Sequence, residues 1–247
     1  CIQKNILELS ISSFICSDIF FSLANNTAKI IKKLGGKVNE IYPVGSIFME
    51  EKWFKKKKDL NKISNIDLLI IGINVRDSFF RFNITGDFDE TYYEHLTWVG
   101  KFSNKYPHIK IVLKHHDNYR LDEREIKLLK NTNVKTVISS LSLNKTYSYV
   151  YKSKAVCSFG STMIMEYLGL GKVCYFLDPN FKAQQFYDYL PQANKWRIKK
   201  YEDFEKKIIN LLVKKNFTFN VNKENNDYCL KSSNSSKKIF EYFKKIK

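Results

Sequence analysis

The chain has 247 residues, 44% of them hydrophobic and 15% aromatic, enough to bury a substantial core and too apolar to be disordered over most of its length. Its formal net charge of +17 invites a polyanion-binding reading, but 37 of its 42 basic residues are lysine and only five arginine. With lysine spread over nearly every element, this is the composition of a solvated surface rather than of a nucleic-acid site. No run of about 18 or more apolar residues is present. Residues 6–24 come closest, but they are interrupted by Glu8 and Asp18 and lack the basic start of a signal peptide. Cys1, Cys16, Cys157, Cys174 and Cys229 are scattered with no C-x-x-C pair and no Cys/His ligand spacing, so no metal and a reducing compartment are expected. The first residue is Cys1 rather than Met, which reads as a fragment.

In chain order, 23–34 predicts a helix stopped by Gly35-Gly36, and 38–44 predicts a strand followed by Gly45-Ser46. Residues 50–64 are polar and lysine-rich and read as a linker. The run Ile66-Asp67-Leu68-Leu69-Ile70-Ile71-Gly72 is a buried strand. Residues 92–104 have helical spacing, with Tyr93, Leu96 and Gly100 on one face and Tyr106-Pro107 as the stop. Strands at 109–113, 134–138, 155–159 and 173–177 then alternate with helices at 121–130, 145–152, 162–170 and 201–213. The helix at 121–130 opens with acidic residues suited to its positive end. Residues 216–236 are polar and loop-like, and Ile239, Phe240 and Phe243 form an apolar stripe on a terminal helix. This alternation implies right-handed parallel crossovers, hence an α/β fold: a Rossmann-like open parallel sheet with helices on both faces. Residues before the linker read as the end of a second Rossmann-like domain. Ligands of such sheets bind at the carboxyl ends of the strands, where the strand order reverses.

Three constellations fall at those ends. The first is Ser158-Phe159-Gly160-Ser161-Thr162 with Glu166, between a strand and a helix. Gly160 permits close backbone approach, Ser161 and Thr162 offer hydroxyls beside the free N–H groups of a helix start, and Glu166 lies one turn on, placed to accept ribose hydroxyls. Serine and threonine are also ordinary helix caps, so capping and phosphate binding both remain open here. Gly169-Leu170-Gly171-Lys172 is not a phosphate loop, since its spacing is wrong and a strand follows it. The second is Lys114-His115-His116-Asp117-Asn118, where a histidine could donate to a phosphate oxygen or assist a leaving group. The third is Gly72-Ile73-Asn74-Val75-Arg76-Asp77, with Arg81 further along; charge neutralisation of a phosphorylated ligand competes with a surface ion pair to Asp77 or Asp87.

On this scaffold the three loops resemble the carboxyl-terminal domain of GT-B fold glycosyltransferases of bacterial surface-polysaccharide biosynthesis. The likeness covers about 38–213 and is most telling over 152–179. Val44-Gly45-Ser46 resembles the strand end before the interdomain linker, and 158–166 resembles the donor-phosphate loop and helix. His115 resembles the histidine after a strand in transferases that use CMP-activated acidic sugars, where proline comes next and His116 stands here.

The resemblance implies four parts: an acceptor-side remnant at 1–49, a linker at 50–64, a donor-binding domain at 65–215, and at 216–247 a polar loop and terminal helix packing back on the first domain. It implies a metal-independent, cofactor-free transferase of the cytoplasm or the inner face of its membrane. The donor is a nucleotide-activated sugar or alditol phosphate and the acceptor a glycan or lipid-linked molecule, with no nucleic acid as partner. Donor-binding residues would be Gly72, Asn74, Arg76, His115, His116, Ser158, Gly160, Ser161, Thr162 and Glu166, with His115 and His116 also the candidate catalytic groups; the base itself is expected in the absent domain. The lysines of 55–58, and Lys237, Lys238, Lys244 and Lys245, suit peripheral contact with an anionic membrane. A nucleotide-sugar 2-epimerase of the same fold and a non-enzymatic polyanion- or membrane-binding protein are the alternatives.

Overall fold

The computed structural model describes residues 16–33, 35–50, 64–72, 88–115, 121–138, 143–159, 161, 163–179, 193–213, 226–230 and 234–246. Its first unit is a parallel pair, β1 (Cys16–Ser22) and β2 (Lys37–Pro43), joined through helix α1 (Thr27–Lys33). The sequence pattern predicts one helix over 23–34 and no strand before it; in the structure β1 precedes this stretch, which begins as a turn, and α1 starts only at Thr27. The helix does end where its glycines predict. Gly35, at φ 77°, donates its N–H to the Lys32 carbonyl and Gly36 donates to Ile31, a left-handed cap that suits glycine.

After a 3-10 turn at Ile47–Met49, the main sheet holds six parallel strands: β3 (Ile66–Ile71), β4 (Ile111–His115), β5 (Lys135–Ile138), β6 (Ser153–Ser158), β7 (Val173–Leu177) and β8 (Arg197–Ile198). Their spatial order is β5-β4-β3-β6-β7-β8, so the chain winds outward from β3, then returns to β3's other side at β6. The point of reversal lies between β3 and β6, where Ile71 pairs with Ser158 on one side and with Lys114 on the other. Leu68, Leu69 and Ile70 are fully enclosed, as an unbroken apolar run in a sheet covered on both faces must be.

The crossovers are α2 (Phe88–Lys105), α3 (Glu123–Leu129), α4 (Leu143–Lys152), α5 (Met163–Gly169) and the short α6 (Ala193–Trp196), and α7 (Tyr201–Val213) follows the last strand. On one face α2 meets α7, with Phe102 and Phe204 ring centroids 5.1 Å apart, and α3, where Gly100 leaves room only for Thr132 and the Leu128 carbonyl. On the other, Tyr147 of α4 meets Tyr167 of α5 edge-on at 5.9 Å. Helix α5 ends at Gly171, φ 75°, whose N–H goes to Leu168 while that of Lys172 goes to Tyr167. The Gly169–Lys172 stretch is therefore a helix stop.

The sixth strand, β8, and helix α6 were not expected. Two residues give no periodicity to read, and what fixes β8 is long-range: Arg197 Nε donates to buried Asp178 at 2.6 Å, and the Asp178 N–H bonds the Ile198 carbonyl at 2.8 Å. The terminal helix α8 (Ser235–Ile246) lies against the first unit. Tyr242 meets Phe21 edge-on at 5.4 Å and Tyr42 at a tilt at 5.3 Å and donates to Glu40, while Phe240, Phe243 and Ile246 remain exposed. Among the described residues no helix is long and apolar enough to cross a membrane.

Candidate functional site

The carboxyl ends of β3, β4 and β6 bring Gly72, His115 and Ser158 together at the reversal point. Gly72 follows β3 directly, and its N–H bonds the Lys114 carbonyl at 2.9 Å. A Cβ at this position would sit 2.7 Å from His115 Nδ1 and 2.8 Å from Cε1, so the glycine is what lets the imidazole lie across the strand end. The space a Cβ would need is filled by a protein neighbour.

His115 is the last residue of β4 and its side chain is enclosed. Its Nε2 lies 3.4 Å from Glu125 Oε1, which also accepts the Tyr92 hydroxyl at 2.7 Å. Glu125 is itself fixed by a reciprocal cap at the start of α3: its Oε2 accepts the Asp122 N–H at 3.0 Å, and its own N–H donates to Asp122 Oδ1 at 2.8 Å. Tyr93 donates to the other Asp122 oxygen at 2.5 Å. Burial, reinforced by the neighbouring Lys114 charge, lowers the His115 pKa to about 4 against a weaker opposing pull from Asp122. Lys114 is buried too, with its ammonium donating to the His115 carbonyl. His115 is therefore a neutral imidazole at neutral pH, backed by a carboxylate, and of the two adjacent histidines it is an inward one.

Ser158 ends β6, fully buried, and its hydroxyl donates to the Ile71 carbonyl at 3.4 Å, which spends its proton on closing the gap between β3 and β6. Ser161 is half-buried and accepts the Ile164 N–H through its carbonyl at 3.3 Å, in the turn that starts α5. Glu166 lies in that helix and is buried. Its Oε1 accepts the Ser46 hydroxyl and its Oε2 the Tyr147 hydroxyl, each at 2.5 Å. Burial raises the Glu166 pKa, and these two hydrogen bonds oppose the rise. Asn74, Arg76, Arg81, His116, Gly160 and Thr162 lie outside the described residues, as do residues 51–63 of the 50–64 linker, with its lysines.

Sequence reasoning missed Ser46, Tyr147, Tyr92 and Glu125 as parts of these clusters. The Asp122-x-x-Glu125 spacing is a legible capping signature, but nothing local says that Glu125 also faces a histidine. Ser46 stood in view only as the residue after a strand-ending glycine. Among the described residues no three His, Cys, Asp or Glu side chains group as metal ligands.

A winding that reverses between β3 and β6, with a parallel two-stranded unit ahead of it and a terminal helix returning to that unit, is the arrangement of the carboxyl-terminal part of a GT-B fold. No protein-family model matches the sequence, and no curated protein matches it. Solved structures do. The UDP-GlcNAc 2-epimerase of Neisseria meningitidis, bound to UDP-GlcNAc, matches with a TM-score of 0.62 at 17% identity, over 93% of this chain and 62% of that one. MnaA of S. aureus, solved with UDP, matches with a TM-score of 0.57 at 12% identity, over 92% and 60%. Sucrose-phosphate synthase of Thermosynechococcus elongatus matches with a TM-score of 0.52 at 10% identity, over 98% and 62%. At such identities the likeness establishes the GT-B fold and nothing finer, and the chain spans about 60% of the length of these proteins.

Proposed function

We propose that this chain is the donor-binding part of an enzyme that uses a nucleotide-activated sugar, a glycosyltransferase or sugar/alditol-phosphate transferase of bacterial surface-polysaccharide synthesis. One observation carries the reading: Gly72, a carboxylate-backed His115 and Ser158 converge at the reversal point of a parallel sheet, with Glu166 in the first turn of the helix that follows β6. This is where open α/β sheets bind nucleotides. In this reading 158–162 receive the donor diphosphate and Glu166 the ribose. His115 or His116, with Asn74 and Arg76, faces the transferred group. Transfer needs no metal or other cofactor, the acceptor is a glycan or lipid-linked molecule, and the enzyme works in the cytoplasm or at the inner face of the membrane.

A 2-epimerase of the same fold is the second reading, favoured by the match to the UDP-GlcNAc 2-epimerase of Neisseria meningitidis. The two readings separate in deuterium oxide. Inverting C2 of UDP-N-acetylglucosamine breaks its C2–H bond and incorporates solvent deuterium there, whereas glycosyl transfer leaves that bond intact.

The first test is thermal shift against CMP, CDP, UDP, GDP, their sugar conjugates and a short oligonucleotide. A ligand at 100 times its Kd stabilises the folded state by about 2.7 kcal/mol. Selective stabilisation by one nucleotide supports the reading and names the donor. Stabilisation by the oligonucleotide alone, abolished by salt, refutes it in favour of polyanion binding.

A further inference from the structure

Ser46 directly precedes the 3-10 turn at Ile47–Met49 with extended backbone, φ −89° and ψ 127°, the position at which serine ordinarily caps a helix start. It makes no such cap. Its hydroxyl instead reaches Glu166, 120 positions along the chain. Three further contacts hold the junction around it: the Ser235 hydroxyl donates to the Val44 carbonyl at 2.8 Å, the Ser236 N–H and hydroxyl donate to Glu50 at 2.6 and 2.7 Å, and Cys229 packs its sulfur on Met49. Residues from the stretch after β2, from α4 and from α5 thus meet around the Glu166 carboxylate, and α8 is bonded to the same junction through Val44 and Glu50.

A carboxylate oxygen has two acceptor positions. Ser46 occupies one on Oε1 and Tyr147 one on Oε2, which leaves one on each oxygen, the pattern that suits two hydroxyls on neighbouring carbons. We propose that Ser46 and Tyr147 are positioning residues of the nucleotide site, holding the Glu166 carboxylate in the orientation and acceptor state that receives a ribose diol. This rests on the reading of Glu166 given above. It adds that the junction after β2, and not the donor domain alone, sets the nucleotide's affinity.

The surroundings make the role measurable. The titratable groups facing Glu166 are Tyr147 from α4, Tyr167 from its own helix and Cys229 from the segment 226–230. Burial pushes all three up, Cys229 to about 12, so they stay neutral across the working range. Burial raises the Glu166 pKa, and each donated hydrogen bond opposes that rise by favouring its charged form.

The test is calorimetric titration of the full chain with UDP, CDP and GDP from pH 5.0 to 8.5, in wild type, Ser46→Ala, Tyr147→Phe and Glu166→Gln. Titration of the nucleotide phosphates is common to all four and cancels in the comparison. Ser46→Ala and Tyr147→Phe should each weaken binding about tenfold at pH 7.5, and should move the acid limb of the binding profile to higher pH. Glu166→Gln should abolish that limb. If Ser46→Ala fails to fold, Tyr147→Phe carries the same comparison. Unchanged affinity, or weaker binding with an unmoved acid limb, would overturn the positioning role and leave the nucleotide reading intact. If wild type binds none of the three nucleotides, the reading and this inference fall together.

Discussion

His95 lies on α2 with no exposed surface, between Tyr92 and Phe159 at ring-centroid distances of 5.6 and 6.3 Å. Neither ring nitrogen has a hydrogen-bond partner among the described residues. A backbone interaction with Tyr92 favours the charged form, but burial outweighs it and lowers the pKa to about 3. Above pH 6.5 the imidazole is neutral whether the chain is folded or not, and it costs nothing. Below pH 6.5 the unfolded chain takes up a proton that the folded chain refuses, so folding loses about 1.4 kcal/mol per pH unit until the folded pKa is reached. At pH 5.0 that is about 2 kcal/mol from His95. His115, lowered to about 4, acts in the same direction over the same interval. His95→Phe keeps an aromatic ring in the site and removes the titration. Urea unfolding at pH 7.5, 6.0 and 5.0 should show the variant gaining about 2 kcal/mol on wild type between the highest and lowest pH. Equal pH dependence in the two proteins would refute the assignment of His95 as a buried neutral base.

Arg197→Met should destabilise the fold by about 3–5 kcal/mol, read as a drop in the urea midpoint, because it strands the buried Asp178 charge; pairing it with Asp178→Leu should recover most of the loss. Gly72→Ala should cost about 1–3 kcal/mol through overpacking against His115. In a double-mutant cycle with His115→Ala the two effects should be non-additive, and additivity would mean that the clash is relieved elsewhere. Gly171→Ala should lower stability by about 1 kcal/mol, since alanine at φ 75° is strained; an unchanged melting temperature would show the helix stop re-forming without the left-handed residue.

The fold was legible because its elements carry local signals. β7 and α7 have the bounds that the apolar run and the helical period give, and the ends of α1 and α5 are written as glycines. What escaped is what local pattern does not encode. β1 is a half-exposed strand that, among the described residues, pairs only with β2, and in Cys16–Ser22 its serines and Asp18 blur the alternation. β8 owes its place to an ion pair. For the site, the sheet reversal placed Gly72, His115 and Ser158 at one edge, as the strand order required. Which way each side chain turns depended on partners in other elements: Glu125 behind His115, Ile71 across from Ser158, Ser46 and Tyr147 on Glu166. No local periodicity marks the two members of such a pair as partners.

The return of the chain to its own first unit has a consequence for synthesis. Asn25 and Leu23 exchange backbone hydrogen bonds with Asn226 and Leu230, Ser235 grips Val44, and Tyr242 reaches Glu40 across 202 positions. A ribosome adding roughly 5–20 residues per second makes β1 and β2 about 10–40 s before α8 exists. During that interval Phe21 and Tyr42 lack the rings that later cover them, while each pair of neighbouring strands in the six-stranded sheet can close as it emerges. The sheet therefore assembles in step with translation, and the first unit is the last to be completed. A cell making this protein would meet its sticky intermediate at β1 and β2, where a holding chaperone shortens the exposure most.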